Sequence, residues 1–124
     1  MAKIYHSDAD LIGGYLAYAA NPDQDLNFWA FHALNDLLAD DSERFWRMTQ
    51  ELIFCTQDEQ ILHTIATGPL ADILAYHGPK FIKRIEKQAR KDRHFRLALA
   101  NVGGQNRFSP KVYERVQQVL SSIQ

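Results

Sequence analysis

From Leu11 to Leu120 the apolar residues return every three or four positions, and nowhere do they alternate with polar ones over the length of a strand. No Asn-Gly or Asp-Gly hairpin turn interrupts them. Such a chain packs helix on helix.

The punctuation divides this pattern. Ser7 with Asp10 makes a capping-box-like start, and Leu11, Ile12, Tyr15, Leu16 and Ala19 predict a helix from Asp8 to Ala20 that stops at Asn21-Pro22. Gly13 and Gly14 inside it each cost about 1 kcal/mol relative to alanine, which points to a close neighbour or an irregular turn. Asp25 is the expected N-cap of a second helix, whose Leu26, Phe28, Trp29, Phe31, Leu34, Leu37 and Leu38 occupy more than one face, so it is either central or covered by a partner. Asp40 and Glu43 open a third helix, with Phe45, Trp46, Thr49, Leu52 and Ile53 inward, and Thr56 to Glu59 a fourth, with Ile61, Leu62 and Ile65. Gly68-Pro69 and Gly78-Pro79 read alike: a left-handed or capping glycine closes one helix and a proline opens the next. They bracket a short helix, Leu70 to His77, and precede a longer one with Phe81, Ile82, Ile85 and Ala89 inward. A turn or two from Phe95 to Ala100, a loop at Val102 to Asn106, and a last helix capped by Ser109, started by Pro110 and lined by Val112, Tyr113, Val116, Val119, Leu120 and Ile123 complete the chain. The expected fold is all-α, a compact irregular bundle or short two-layer α-solenoid of about seven or eight helices in a single domain, 1–124.

At 124 residues the chain can bury about two-thirds of its unfolded surface and needs no disulfide or metal to hold a core. Its one cysteine, Cys55, ends the apolar run Leu52-Ile53-Phe54-Cys55 and is expected to be a buried thiol in a reducing, cytoplasmic setting. No uncharged apolar stretch approaches the roughly 20 residues that span a bilayer.

Catalytic and metal signatures are weak. Asp23-x-Asp25-x-Asn27 opens like a calcium loop, but Phe28 stands where glycine is required and Leu34 where glutamate is. His6, Asp8 and Asp10 are favoured at a helix N-terminus by the helix dipole without any ion. His32, His63, His77 and His94 lack zinc-ligand spacing, and Cys55 lacks an activating setting. The expectation is a binding protein with no enzyme activity, cofactor or metal.

Charge carries more information. The formal net charge of −1 hides 12 acids against 3 bases in residues 1–72, a balance of −9, and 3 acids against 11 bases in 73–124, a balance of +8. The acidic surface, Asp8, Asp10, Asp23, Asp25, Asp36, Asp40, Asp41 and Glu43 with Trp29, Phe28 or Phe31 as an aromatic anchor, suits a basic protein partner. The alternative face is the basic one: Lys80, Lys83, Arg84, Lys87, Arg90, Lys91 and Arg93, continuing to Arg96. Such a stripe can bind phosphates, but near-neutral net charge and the lack of interleaved aromatics argue against a nucleic-acid binder.

Thr67-Gly68-Pro69-Leu70-Ala71-Asp72-Ile73-Leu74, then His77-Gly78, then Phe81-Ile82 and Arg84-Ile85-Glu86, with Ala89, Asp92, Phe95-Arg96 and Leu99, resembles a bacterial family catalogued as a domain of unknown function. That family has a Gly-Pro-Leu-x-Asp-Leu-Leu core, a His-Gly and a Phe-Ile-x-Arg-Ile-Glu helix. The likeness covers residues 45–102, and Ala71 departs from the acidic residue expected beside Asp72. The resemblance implies a small helical cytoplasmic protein, and similar small proteins recur as immunity partners of interbacterial toxins. Its polar members Asp72 and Arg84 are expected to form an ion pair between neighbouring helices. The leading expectation is therefore an immunity protein that occludes the active site of a cognate toxin, and the alternative a nucleic-acid-associated or adaptor protein using residues 80–96.

Overall fold

The computed structural model describes residues 6–23 and 25–122, with no strand among them. Its helices are α1 Asp8–Ala20, α2 Phe28–Asp40, α3 Ser42–Cys55, α4 Glu59–Ile65, α5 Ala71–Lys91, α6 Arg93–Leu99 and α7 Pro110–Ser122. The 3-10 turn Asp25–Asn27 runs straight into α2, and the π turn Ala66–Leu70 joins α4 to α5 without a break. The described residues thus form six continuous helical segments, fewer than the seven or eight the sequence pattern predicts.

Several caps fall where expected. The Ser7 side chain accepts from the Asp10 N–H at 3.1 Å, and Ser109 Oγ accepts from the Val112 N–H at 3.3 Å. Others move by a residue or two. Asp25 begins the 3-10 turn rather than capping α2, whose N-cap is Asn27 with no side-chain bond. Because α2 continues through Asp40, the corner into α3 is the single residue Asp41, and its carboxylate accepts from the Arg44 N–H at 3.1 Å. Asp58, not Thr56, caps α4: its charged Oδ1, a stronger acceptor than a hydroxyl, takes the Gln60 and Ile61 N–H groups at 2.9 and 3.0 Å. Asp92 caps α6 in the same way. Ile123, expected to line the last helix, lies outside the described residues.

The two Gly-Pro corners differ: the chain stays helical through the first and divides into two helical arms at the second. Positive φ occurs among the described residues only at Gly103 and Gly104, which turn the loop before α7, so neither Gly68 nor Gly78 is a left-handed cap. Pro69 sits inside the π turn and the chain stays helical. At the second corner His77 leaves the helical region (φ −135°, ψ 26°) and α5 kinks, since Pro79 offers no N–H to the carbonyl four residues back. The segment from Leu70 to His77 thus begins at the end of the π turn and forms a first, short arm of α5 that meets the longer arm across the kink at His77, where the Gly-Pro pattern predicts a junction. Gly78 is needed for space: a Cβ there would stand 2.8 Å from Val112 Cγ2 of α7.

One hydrophobic cluster draws on all seven helices, with Phe45, Phe81 and Phe95 among its largest fully buried side chains. The Trp46 ring lies 6.0 Å from both Phe81 and Phe95. Each such side chain contributes about 1.5–3 kcal/mol by leaving water. Cys55, expected inside, is exposed. A helix cannot bury four consecutive residues at a one-sided contact; Leu52 and Ile53 turn inward and Phe54 and Cys55 outward. Nor is α2 central. It buries Ala30 and Leu34, half-buries Phe31, Leu37 and Leu38, and leaves Phe28 and Trp29 exposed.

Candidate functional site: two charged faces and the groove between α2 and α5

Folding uses part of each charged half for its own contacts. Arg44, largely buried on α3, holds Asp8 at the start of α1 at 2.9 Å and donates to the His6 carbonyl, while Arg47 reaches the same Asp8 at 3.5 Å. Asp41 is spent on its cap. Glu43 receives both guanidinium nitrogens of Arg84 from α5, with Lys80 3.8 Å away. Hydrogen bonds from Arg84 are the main reason the Glu43 carboxyl is held below the usual carboxylate range, the Arg84 and Lys80 charges adding to them; the same contact raises Arg84. Lys80 and Arg84 also lie over the Phe81 ring, 5.2 and 5.0 Å from its centre.

Asp72 and Arg84 do not pair with each other. Both stand on α5, and Asp72 instead accepts from Arg107 at 2.8 Å, a residue of the glycine loop. Glu86 ties α5 to α7 through Arg115, and Arg96 donates to the Ala89 carbonyl near the end of α5. Two histidines serve the frame: His77 Nε2 meets the Leu38 carbonyl at 2.7 Å, and His94 Nε2 the carbonyls of Ile53 and Thr56 at 2.9 and 2.8 Å. Among the described residues no three His, Cys, Asp or Glu side chains stand together as a metal site, and no helix is long and apolar enough to cross a membrane.

What remains is a surface with a character of its own. Asp10, Asp23, Asp25 and Asp36 are exposed and make no ion pair among the described residues. Asp25, Phe28, Trp29, His32 and Asp36 follow the spacing of one helical face, so the outside of α2 carries acids and aromatic rings together. Phe28 is 42% exposed, Trp29 37% and the adjoining Leu26 78%. Gly14, one of the two weak points in α1, accounts for how Trp29 lies: a Cβ there would meet Trp29 Cζ2 at 2.5 Å, so the indole rests against bare backbone, and its ring centre stands 4.5 Å from that of His6. Phe28, Phe31, His32 and Tyr18 form an adjoining ring cluster with centres 4.5–6.1 Å apart. The periodicity of α2 made these rings visible in sequence; their exposure was not.

Farther along α2 the same helix forms one wall of a groove of about 420 Å³, lined by Asn35, Leu38 and Ala39 on one side and by Asp72, Tyr76 and His77 of α5 on the other. Sequence reasoning singled out Asp72 but missed Asn35 and Tyr76, which belong to no motif. Beneath Asp72 lies Tyr15, whose phenol burial first, and then Tyr18 and Asp72, push far above its ordinary value, so it stays neutral. On the opposite charged half, Lys83, Lys87, Arg90, Lys91 and Arg93 are exposed and lack an acidic partner among the described residues.

These features define a small all-α protein with segregated charge and an aromatic face. Residues 17–123 match the model of a family of unknown function, DUF6869, and the chain belongs to that family. No curated protein matches the chain, and no solved structure does.

Proposed function

We propose that the chain is a binding protein that docks a basic protein partner on the outer face of α2, and that it acts as an immunity protein, covering the cationic active-site cleft of a cognate toxin. One observation carries this reading: exposed Leu26, Phe28 and Trp29 sit among Asp23, Asp25 and Asp36, acids that make no ion pair among the described residues. Aromatic anchors supply affinity at protein interfaces, and complementary charge around them supplies rate and selectivity. The acids committed inside the fold, Asp8, Asp41 and Glu43, leave the docking set. Asp10, Asp23, Asp25, Trp29 and Asp36 remain in it.

The test is co-expression with the product of the adjacent upstream gene, which this reading expects to be a secreted toxin. Growth rescue and a stable complex are expected. Phe28→Ala with Asp36→Lys should weaken the complex at least about 30-fold, equivalent to about 2 kcal/mol, with little change in melting temperature. A neighbour that neither binds nor is neutralised overturns the reading.

The unpaired cations favour a second reading, association with a nucleic-acid backbone along α5. Its signature is an affinity for a labelled oligonucleotide that falls steeply with salt and vanishes on charge reversal at Lys83, Lys87 and Arg90. Salt-independent or unaltered binding removes it.

A further inference from the structure

The groove between α2 and α5 is built by the kink. His77 departs from helical geometry and its Nε2 is fastened to the Leu38 carbonyl at 2.7 Å, which holds the first turns of α5 against the end of α2. Three residues of different chemistry then line one space: Asp72, Asn35 and Tyr76, the last 68% exposed. Asp72 is only partly wetted, with 26% of its side chain exposed, and just one of its oxygens is used: Oδ1 accepts from Arg107, and Oδ2 takes no donor among the described residues. The molecule thus already shows what this carboxylate takes, a guanidinium nitrogen, delivered from a loop whose turn depends on two glycines at φ 64° and 87°.

We infer that this groove seats one arginine side chain of the basic partner, an inference that rests on the docking reading above. A guanidinium has the donors to bridge Asp72 Oδ2 and the Asn35 carbonyl oxygen while its flat face lies on the Tyr76 ring; an ammonium has neither the fork nor the face. Asp36 and Asp40 stand nearby on α2 and raise the local concentration of cations. Arg107, held on Oδ1, offsets part of the Asp72 charge and so weakens the seat on Oδ2.

Two measurements on the full chain decide this. Titration with acetyl-arginine methylamide, followed by NMR, should move the Asn35, Tyr76 and His77 signals along a saturable curve. Acetyl-lysine methylamide should act at least about tenfold more weakly, a difference of about 1.4 kcal/mol. Asp72→Asn should abolish the arginine response, Tyr76→Ala, an exposed position, should weaken it, and Arg107→Ala should strengthen it. Equal responses to both probes, or a response indifferent to both Asp72→Asn and Tyr76→Ala, overturns the proposal. The toxin complex separates the two readings. If it forms and neither Asp72→Asn nor Tyr76→Ala changes its affinity, the groove assignment fails and the α2 docking face stands. If no complex forms, the docking reading fails and the arginine proposal fails with it, whatever the small probe does.

Discussion

The outer faces of α2 and α5 are both charged and both adjoin aromatic rings, yet they use these groups in opposite ways. On α5 the ring is inside: Phe81 is fully buried, capped by Lys80 and Arg84, and Arg84 is in turn held by Glu43 across the α3 contact. On α2 the rings are outside, Phe28 and Trp29, and the neighbouring Asp36 has no ion partner among the described residues. The arrangement around Phe81 is complete in the free chain, while Lys83, Lys87, Arg90 and Lys91 on the same helix have no acidic partner among the described residues. The arrangement on α2 leaves Phe28 and Trp29 open to water, which is why we place the proposed docking face on α2 although α5 is the more highly charged helix.

Stability should separate the two most sharply when the rings are removed. Phe81→Ala empties a fully buried site between Trp46 and His77 and is expected to cost about 3–5 kcal/mol. Phe28→Ala, at a site already open to water, should cost no more than about 1 kcal/mol. Urea denaturation of both variants measures the gap. Equal costs would mean that Phe28 is a core residue and would remove it from the docking face.

A smaller contrast tests the frame that holds the groove open. Alanine at position 78 gains about 1 kcal/mol of helix propensity but forces a contact at 2.8 Å with the stiff Val112, an overpacking cost of about 1–3 kcal/mol, so Gly78→Ala should be net destabilising. At the other corner an added Cβ meets only the Tyr15 hydroxyl, at 3.2 Å, and Gly68→Ala should lie within about 0.5 kcal/mol of the parent. Thermal melts that rank the two the other way would show that the corners owe their glycines to backbone conformation rather than to packing.

Those corners also show where sequence reading stops. The apolar periodicity placed most helices to within a few residues, because the spacing of Leu11, Tyr15 and Ala19, or of Val112, Val116 and Val119, encodes burial directly. Gly-Pro told of a perturbation but not its kind, since a π turn and a kink each accommodate a proline that has no N–H to donate. The contact that demands Gly78 comes from Val112, 34 positions later, and no local rule reports it. The candidate site was half legible for the same reason. Charge segregation exposed the acidic and basic halves, but which acids stay available depends on long-range partners: Arg44 for Asp8 and Arg84 for Glu43 are contacts between elements. The groove was not visible at all, since Asn35 and Tyr76 meet only through the kink at His77.

The smallest expected effect concerns the charge pairing that distinguishes α5 from α2. Hydrogen bonds from Arg84 hold the folded-state Glu43 carboxyl below its ordinary value, so as pH falls the unfolded chain takes up a proton at this position first. The contribution is fully present above the ordinary carboxylate range and is lost as pH drops through the folded-state value. Glu43→Gln should therefore lower the melting temperature slightly at neutral pH, and its deficit against the parent should shrink between about pH 5 and pH 3. The pair is half-exposed, so added salt should shrink the deficit too. Asp36→Asn on α2 has no partner to lose and should show neither trend. A pH-dependent deficit at Asp36 would reveal an intramolecular partner and weaken its claim to the docking face; a flat profile at Glu43 would show that the α3–α5 pair contributes nothing measurable and that both faces are equally free to bind.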